Sequence, residues 1–585
     1  MATDQSIRSI LLVDCGSAIT KAILLDRVAG QYRFVARGES PTTMGSSWSD
    51  ITDGIHHAIE QIAEVTGRVF FSGEGNLISP ELSNQQGVDV FAATASCSQP
   101  LGVVIGGLVR DMSVASAERA AAGTYSQVRG VLASNGEGGL TEDERVHTIY
   151  NAEPDVVCIA GGLEDGATVP VLRLADTAAL ACSLIREEDR PQILYAGNSR
   201  LRERIVRIVE GRAELRVANN VRPTAGRENL VDAQTELSSL YSSRKMRSVP
   251  GVRLLDEWSP IETTPTARAF SRLIEYLWHL GDPDRGVLGI DVGAANTTIA
   301  AAFDGQLYLT VKGNRGTVYG PQELLETYGA EAFTAWLPES MKEGEILGIL
   351  LNKEMHPTSI PQVQRELWLE QAIARASIRS TLEIARPGWK PGEAQPYPDL
   401  LPLCDTIVVS GGILARAPHP GQAALIVLDS LQPIGVSTLV LDRYGLAPAL
   451  GNVAAVKPIA AVEALDSGGF VNLATVIAPV GEARRGDTIL KVRIKYEDGS
   501  AFSVEVHYGE LEVLPLLPNQ EAIVELKPRR HFDVGLGGPG RGGRRRVSGG
   551  LAGLVIDARG RPLRLSRDPK RRQAQMQQWL WDVGG

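Results

Sequence analysis

Two short strings place an aspartate, a glycine and hydroxyl side chains in the same order: VDCGSAITKAILLD around Asp14 and IDVGAANTTIAAAFDG around Asp291. In each, an apolar run ends in Asp-x-Gly, small hydroxyl residues follow and a second apolar run begins. Glycine at 16 and 293 has no Cβ, so the backbone can turn sharply and bring amide N–H groups against an anion. Ser17, Thr20, Thr297 and Thr298 can add hydroxyl donors to phosphate oxygens. A carboxylate beside a triphosphate repels it, so Asp14 and Asp291 make chemical sense chiefly if Mg²⁺ lies between, held directly or through water. Lys21 would then neutralise charge building up during phosphoryl transfer, completing a catalytic set with the two aspartates. For either string alone, a plain Asp-Gly hairpin with capping hydroxyls is the competing reading; two copies in matched settings favour the phosphate reading.

The elements that must position these residues repeat as well. The first unit predicts strands over 9–13, 20–25 and 32–36. The second predicts 287–290, 297–303 and 306–311, with Asp304-Gly305 as a strong two-residue hairpin signal. A third string, DTIVVSGGILARAP, ends an apolar strand in Ser410-Gly411-Gly412 before a helix. Paired glycines at a strand end let a flat adenine or ribose lie on the backbone, and strand carboxyl ends are where open α/β sheets bind ligands. ATP with Mg²⁺ is therefore the expected ligand pair.

Phosphate turn, second phosphate turn, then adenosine turn, in that order, resembles the superfamily of actin, sugar kinases and the large heat-shock chaperone ATPases. Within it the chain is similar to the glutamate mutase accessory protein family MutL, also called GlmL and unrelated to the mismatch-repair protein of similar name. Besides the three turns, the likeness is carried by ATASCSQPLGVVIGGLVRDMSVASAERAAAG, PDVVCIAGGLEDG, ILYAGNSRLRERI and ANNVRP, and covers roughly residues 8–460. It implies a two-lobed, actin-like (ribonuclease H-like) α/β ATPase, weak in turnover, that serves a partner enzyme of the adenosylcobalamin-dependent mutase type. The chain departs from the pattern at the second turn. Ile299 stands where many relatives carry an acid, and Ala294 and Asn296 stand where Thr or Gly is common, so rapid hydrolysis is less assured than binding.

A chain of 585 residues is too long for one core and predicts three to five domains. The apolar fraction of 43% and the charged fraction of 22% are those of a folded soluble protein. No apolar stretch reaches a membrane span, and the first residues lack a signal-like pattern, so the expected location is the cytoplasm. The cysteines Cys15, Cys97, Cys158, Cys182 and Cys404 fall singly and read as buried reduced thiols, with a reactive Cys15 inside the phosphate turn as the alternative.

The reading along the chain is a first lobe at 1–150, with an amphipathic helix from about Ser49, and an inserted parallel βαβ subdomain at 151–225. A helical connection at 226–285 and a second lobe at 286–467 follow. The second lobe holds a long helix over 362–385 and a proline-marked loop at Pro387, Pro391, Pro396, Pro398 and Pro402. A β-sandwich or barrel with a basic Gly/Arg loop is expected at 468–565, and a basic, Trp-containing tail at 566–585. In the inserted part, Ala160-Gly161-Gly162 and Ala196-Gly197-Asn198 either border a pocket or merely permit tight strand-to-helix turns.

Residues 527–572 hold fourteen Lys or Arg against three Asp, an excess of eleven in a chain of net charge −10. The acidic body and this basic end meet different partners or each other. The cluster Arg544, Arg545 and Arg546 either clamps an anionic partner or forms a solvated loop. Without interleaved aromatics no specific nucleic-acid binding is expected. The last helix would dock Trp579 and Trp581 onto the β domain, with peripheral membrane contact as the lesser alternative. Two further function classes stay open: a small-molecule kinase of the same superfamily, and a nucleotide-dependent scaffold or filament.

Overall fold

The computed structural model describes residues 7–44, 50–82, 85–133, 140–389 and 397–584. Ser49, Pro391 and Pro396, and the residues before 7, lie outside them. The chain divides into two compact units. One is made of residues 1–94, 254–308 and 314–585, the other of 95–253 with 309–313.

The first unit contains the expected repeat as a repeat of sheet order. In one sheet the neighbours run Gln31–Pro41, Ile19–Val28, Ser9–Cys15, Val90–Ala95, Thr264–Pro265; in the other, Gln306–Gly313, Asn296–Phe303, Gly286–Val292, Cys404–Ser410, Gly435–Asp442. Both are third-second-first-fourth-fifth in chain order, which is the actin-like arrangement. The strands exceed their predicted lengths because both faces are covered: Ser9–Cys15 is buried throughout, so hydrophobic alternation does not mark its ends. Asp304 and Gly305 take φ of 50° and 73°, the pair of left-handed residues a tight hairpin needs.

In both sheets the second strand runs antiparallel to the first; in the second sheet the fourth strand is parallel to the first and the fifth to the fourth. The strand carboxyl ends therefore carry Asp14 in one sheet and Asp291, Ser410 and Asp442 in the other. The helix Gln364–Ala385 covers the second sheet, with Leu369, Ile373, Ile378 and Leu382 in the core. The helix Thr52–Thr66 buries Ile55, Ala58, Ile59 and Ile62.

The insertion is larger than expected. Strands Leu101–Gly107 and Ser126–Ala133, assigned from sequence to the first lobe, join Val156–Ile159, Gln192–Tyr195 and Leu215–Val217 in one all-parallel sheet, ordered 126–133, 101–107, 156–159, 192–195, 215–217. In sequence this unit interrupts the first lobe between its fourth and fifth strands. The boundary read from sequence at residue 150 falls within this unit, in the helix Glu142–Ala152 between the second and third strands of the sheet in chain order.

The C-terminal β region is not a separate body. Phe470–Ala478 pairs antiparallel with Gly435–Asp442, and Leu554–Asp557 and Leu511–Leu514 follow it, extending the second lobe to eight strands. Four other strands, Thr488–Tyr496, Ala501–His507, Glu521–Pro528 and Gly543–Ser548, form an antiparallel sheet. Its inner residues Leu490, Val492, Ile494 and Val524 share a core with Ile477, Leu554 and Ile556 of the extended sheet, a sandwich with one face borrowed from the lobe.

Part of the basic end is spent within the chain. Buried Arg559 bridges Asp557 and Asp429 at 2.8 Å each, Arg375 reaches Asp429 at 2.8 Å and Arg561 reaches Asp557 at 2.7 Å. The two arginines hold the Asp557 carboxyl far below the ordinary carboxylate range against the cost of its burial. Arg559 also lies 4.4 Å from the ring centre of Trp579, so the final helix, Pro569–Asp582, docks through Met576, Trp579 and Leu580 onto the core of the second lobe. Trp581, expected to dock as well, is 79% exposed, because its position two residues from Trp579 puts it on another helix face.

Candidate functional site

The two turns are superposable in pairing. Cys15 faces Thr20, and Val292 faces Thr297, which leaves loops over 16–19 and 293–296. Each is closed by its glycine amide, Gly16 to the Ile19 carbonyl at 3.1 Å and Gly293 to the Asn296 carbonyl at 2.9 Å. Neither glycine takes a left-handed conformation. A Cβ at Gly16 would stand 2.7 Å from the Ile19 oxygen, and at Gly293 3.1 Å from the Asn296 oxygen, so these positions need glycine for space rather than for backbone freedom.

Two residues expected as phosphate donors make other bonds in this structure. Thr20 and Thr297 occupy equivalent places, are fully buried, and are spent on bracing. The Thr20 hydroxyl meets Thr42 Oγ1 at 3.0 Å, and Thr42 in turn donates to the Gly16 carbonyl at 2.7 Å. Thr297 donates to the Arg315 carbonyl at 2.5 Å, while the amides of Thr317, Val318 and Tyr319 bond back to Gly293 and Ala294. In both sheets the chain leaving the third strand thus folds under the turn and fixes it. Ser17 stays half-buried on its loop, and Thr298 lies opposite Asp291, as Lys21 lies opposite Asp14.

The carboxylates differ more. Asp14 is buried, and its Oδ1 accepts from Thr94 Oγ1 and Thr266 Oγ1, both at 2.8 Å; Lys21 Nζ is 3.9 Å from Oδ2. Asp291 is pushed up to about 6, first by burial and then by the negative charges of Asp14 and Asp442, while Lys21 and a bond from Ser410 oppose the rise. Asp442, fully buried, accepts from the Leu446 amide at 2.8 Å, the Ala447 amide at 2.9 Å and Ser410 Oγ at 3.1 Å; burial pushes its carboxyl up too. These amides open the helix Leu446–Val453, whose N-terminus favours an acid. Lys21 approaches the same helix start so closely that a Cβ on Gly445 would lie 2.8 Å from its ammonium. One lysine therefore faces three aspartates.

Asp442, Thr94 and Thr266 were missed from sequence. Asp442 had a signal, an apolar strand ending in Asp before Gly445; the threonines had none beyond their place at element ends. Ser410, expected at the adenosine, turns its hydroxyl to the carboxylates. Gly411 takes φ +109°, and a Cβ there would strike the Val292 carbonyl at 2.3 Å, so it locks the adenosine turn to the second phosphate turn. Gly412 opens the helix Gly412–Ala415 with nothing within 4 Å of its missing Cβ, a clear surface of the kind a base would lie on. Just beyond, Arg416 pairs with Glu39 of the first lobe's third strand.

Among the described residues no group of three or more His, Cys, Asp or Glu converges as a metal cage. Cys15 is buried, as are the other four thiols, which leaves a reactive Cys15 without solvent access; burial pushes Cys158, Cys182 and Cys404 up to about 12. In the inserted unit, a Cβ on Gly197 would meet the Gly161 carbonyl at 2.6 Å and one on Gly161 would meet Leu108 at 3.1 Å, so these glycines serve tight loop packing. No helix of the described residues is long and apolar enough to cross a membrane.

No curated protein matches the chain in sequence. Among solved structures it is similar to a nucleotide-free acetone carboxylase (10% identity, 86% of this chain and 81% of that one, TM-score 0.33). It is also similar to component A of the (R)-2-hydroxyglutaryl-CoA dehydratase of Acidaminococcus fermentans (10%, 78% and 99%, TM-score 0.27) and to a nucleotide-free diol dehydratase-reactivating factor (12%, 77% and 100%, TM-score 0.29). The model of the MutL protein family matches residues 10–468, which takes in both phosphate turns, the inserted unit and the adenosine turn. The chain belongs to the MutL protein family.

Proposed function

We propose that the protein binds Mg·ATP between the two repeat sheets, hydrolyses it slowly, and uses the nucleotide-dependent closure to act on a partner enzyme. The observation that carries this reading is the single lysine, Lys21, set among Asp14, Asp291 and Asp442 where the two phosphate turns and the adenosine turn meet. Negative charge exceeds positive there, which suits a divalent cation. Asp14 and Asp291 would hold Mg²⁺, mainly through water given the absence of a three-ligand cage among the described residues, and the ion would supply charge neutralisation to the phosphates. The turn amides and Ser17 receive phosphate oxygens, Lys21 offsets charge on the transferred group, and Gly411-Gly412 takes the adenosine.

Family membership supports an accessory role, and a mutase that uses adenosylcobalamin is the partner proposed. A nucleotide held by one turn from each sheet contributes to closure only through contacts that differ between open and closed states. The test is Mg·ATP affinity and phosphate release for the native protein beside Asp14→Ala and Asp291→Ala. Loss of both in either variant supports the reading; unchanged Mg·ATP binding in both variants removes it.

A further inference from the structure

The helix Glu343–Met355 has two apolar faces, and the chain uses one. Ile346 and Leu350 sink into the core of the second lobe, and Lys353 on that side pairs with Glu370 at 2.7 Å. A second row, Leu347, Leu351 and Met355, recurs every four residues and is 39%, 45% and 75% exposed. Helical geometry sets Gly344 and Gly348 in the same sector, because residues three and four apart share a face. That sector is a continuous apolar strip in water, which ordinary surfaces avoid.

The glycines make the strip informative. Glycine inside a helix is less stable than alanine, and such a loss persists where another backbone must come close. A Cβ on Gly344 or Gly348 would meet nothing within 4 Å, so no contact within the described chain accounts for either. The strip is bordered on one side by exposed Glu343 and Glu354 and on the other by Glu345, which pairs with Arg365 at 2.7 Å, as Glu339 does. The two acids on the first border disfavour an anionic membrane surface and favour basic residues opposite them.

We infer that this face receives a helix of a partner protein, seated with its backbone close over Gly344 and Gly348, its apolar seam on Leu347, Leu351 and Met355, and a Lys or Arg flank facing Glu343 and Glu354. The test uses two labelled synthetic helical peptides with the same leucine seam, one flanked by lysines and one by glutamates, titrated against the full chain by fluorescence anisotropy. The lysine peptide should bind at least ~10-fold more tightly than the glutamate peptide, and Leu351→Lys should abolish binding. Gly348→Ala should raise the melting temperature yet weaken the lysine peptide, opposite signs that a merely structural glycine would not give. Equal binding of the two peptides, no binding of either, or undiminished binding to Gly348→Ala overturns the inference. So does concentration-dependent self-association that Leu351→Lys removes, which would assign the face to a second copy of the chain.

Discussion

The turn at Asp14 and the turn at Asp291 share a frame and differ in electrostatic state. Both have the same loop length, a glycine pressed against a carbonyl, and a buried threonine braced by the chain that leaves the third strand. Yet Asp14 is satisfied, with two threonine hydroxyls on one oxygen and a lysine near the other, whereas Asp291 is crowded by two further carboxylates and held up to about 6. The difference teaches that duplication preserves geometry while the neighbours at strand ends set the chemistry. Under the proposed function, the first turn is a fixed anchor and the second is the half whose charge state responds to what is bound.

The largest expected break comes from Lys21→Ala, which removes the cation facing all three aspartates. Phosphate release should fall by ~100-fold or more, read in a steady-state assay; a change within about threefold would deny Lys21 its role. Next, Thr94→Val with Thr266→Val strips both hydroxyls from Asp14 and should cost about 2–4 kcal/mol in urea unfolding, since hydrogen bonds to charged groups are the stronger kind.

Asp291→Asn should act in the opposite direction on stability. With its folded value raised above 3.8 to about 6, Asp291 favours the fold most at low pH, and this contribution is lost as pH rises through 6. The asparagine variant should therefore be as stable as the native protein or more so at pH 7, by on the order of 1–2 kcal/mol, with a flatter profile between pH 4 and 6. Smallest, Thr20→Val and Thr297→Val should each cost about 1 kcal/mol of stability and change Mg·ATP affinity less than about threefold. A tenfold loss of affinity would return these hydroxyls to the phosphates.

The repeat was legible because Asp-x-Gly between apolar runs is a local pattern, and the strand-turn-helix at Ser410-Gly411-Gly412 was legible for the same reason. What the sequence hid was non-local. Thr94 and Thr266 lie 80 and 252 residues from the Asp14 they bond, and no local pattern links them. The bonds that Thr20 and Thr297 make to Thr42 and to the Arg315 carbonyl were not legible, because a hydroxyl beside such a turn carries no mark of which way it points. The inserted unit was trimmed because Leu101–Gly107 is apolar throughout, like the lobe strands before it, and only pairing assigns it to a sheet. Arg559 and Arg561 counted toward the basic end's charge until the fold buried them with Asp429 and Asp557.

The most direct test of the division between anchor and responsive turn is a Mg²⁺ titration at fixed ATP, with nucleotide binding followed by calorimetry, for the native protein, Asp14→Asn and Asp291→Asn. The account predicts that Asp291→Asn raises the Mg²⁺ concentration needed for half-maximal binding by ~10-fold or more while the protein stays folded, and that Asp14→Asn loses stability along with binding. A Mg²⁺ requirement in Asp291→Asn equal to that of the native protein would contradict it.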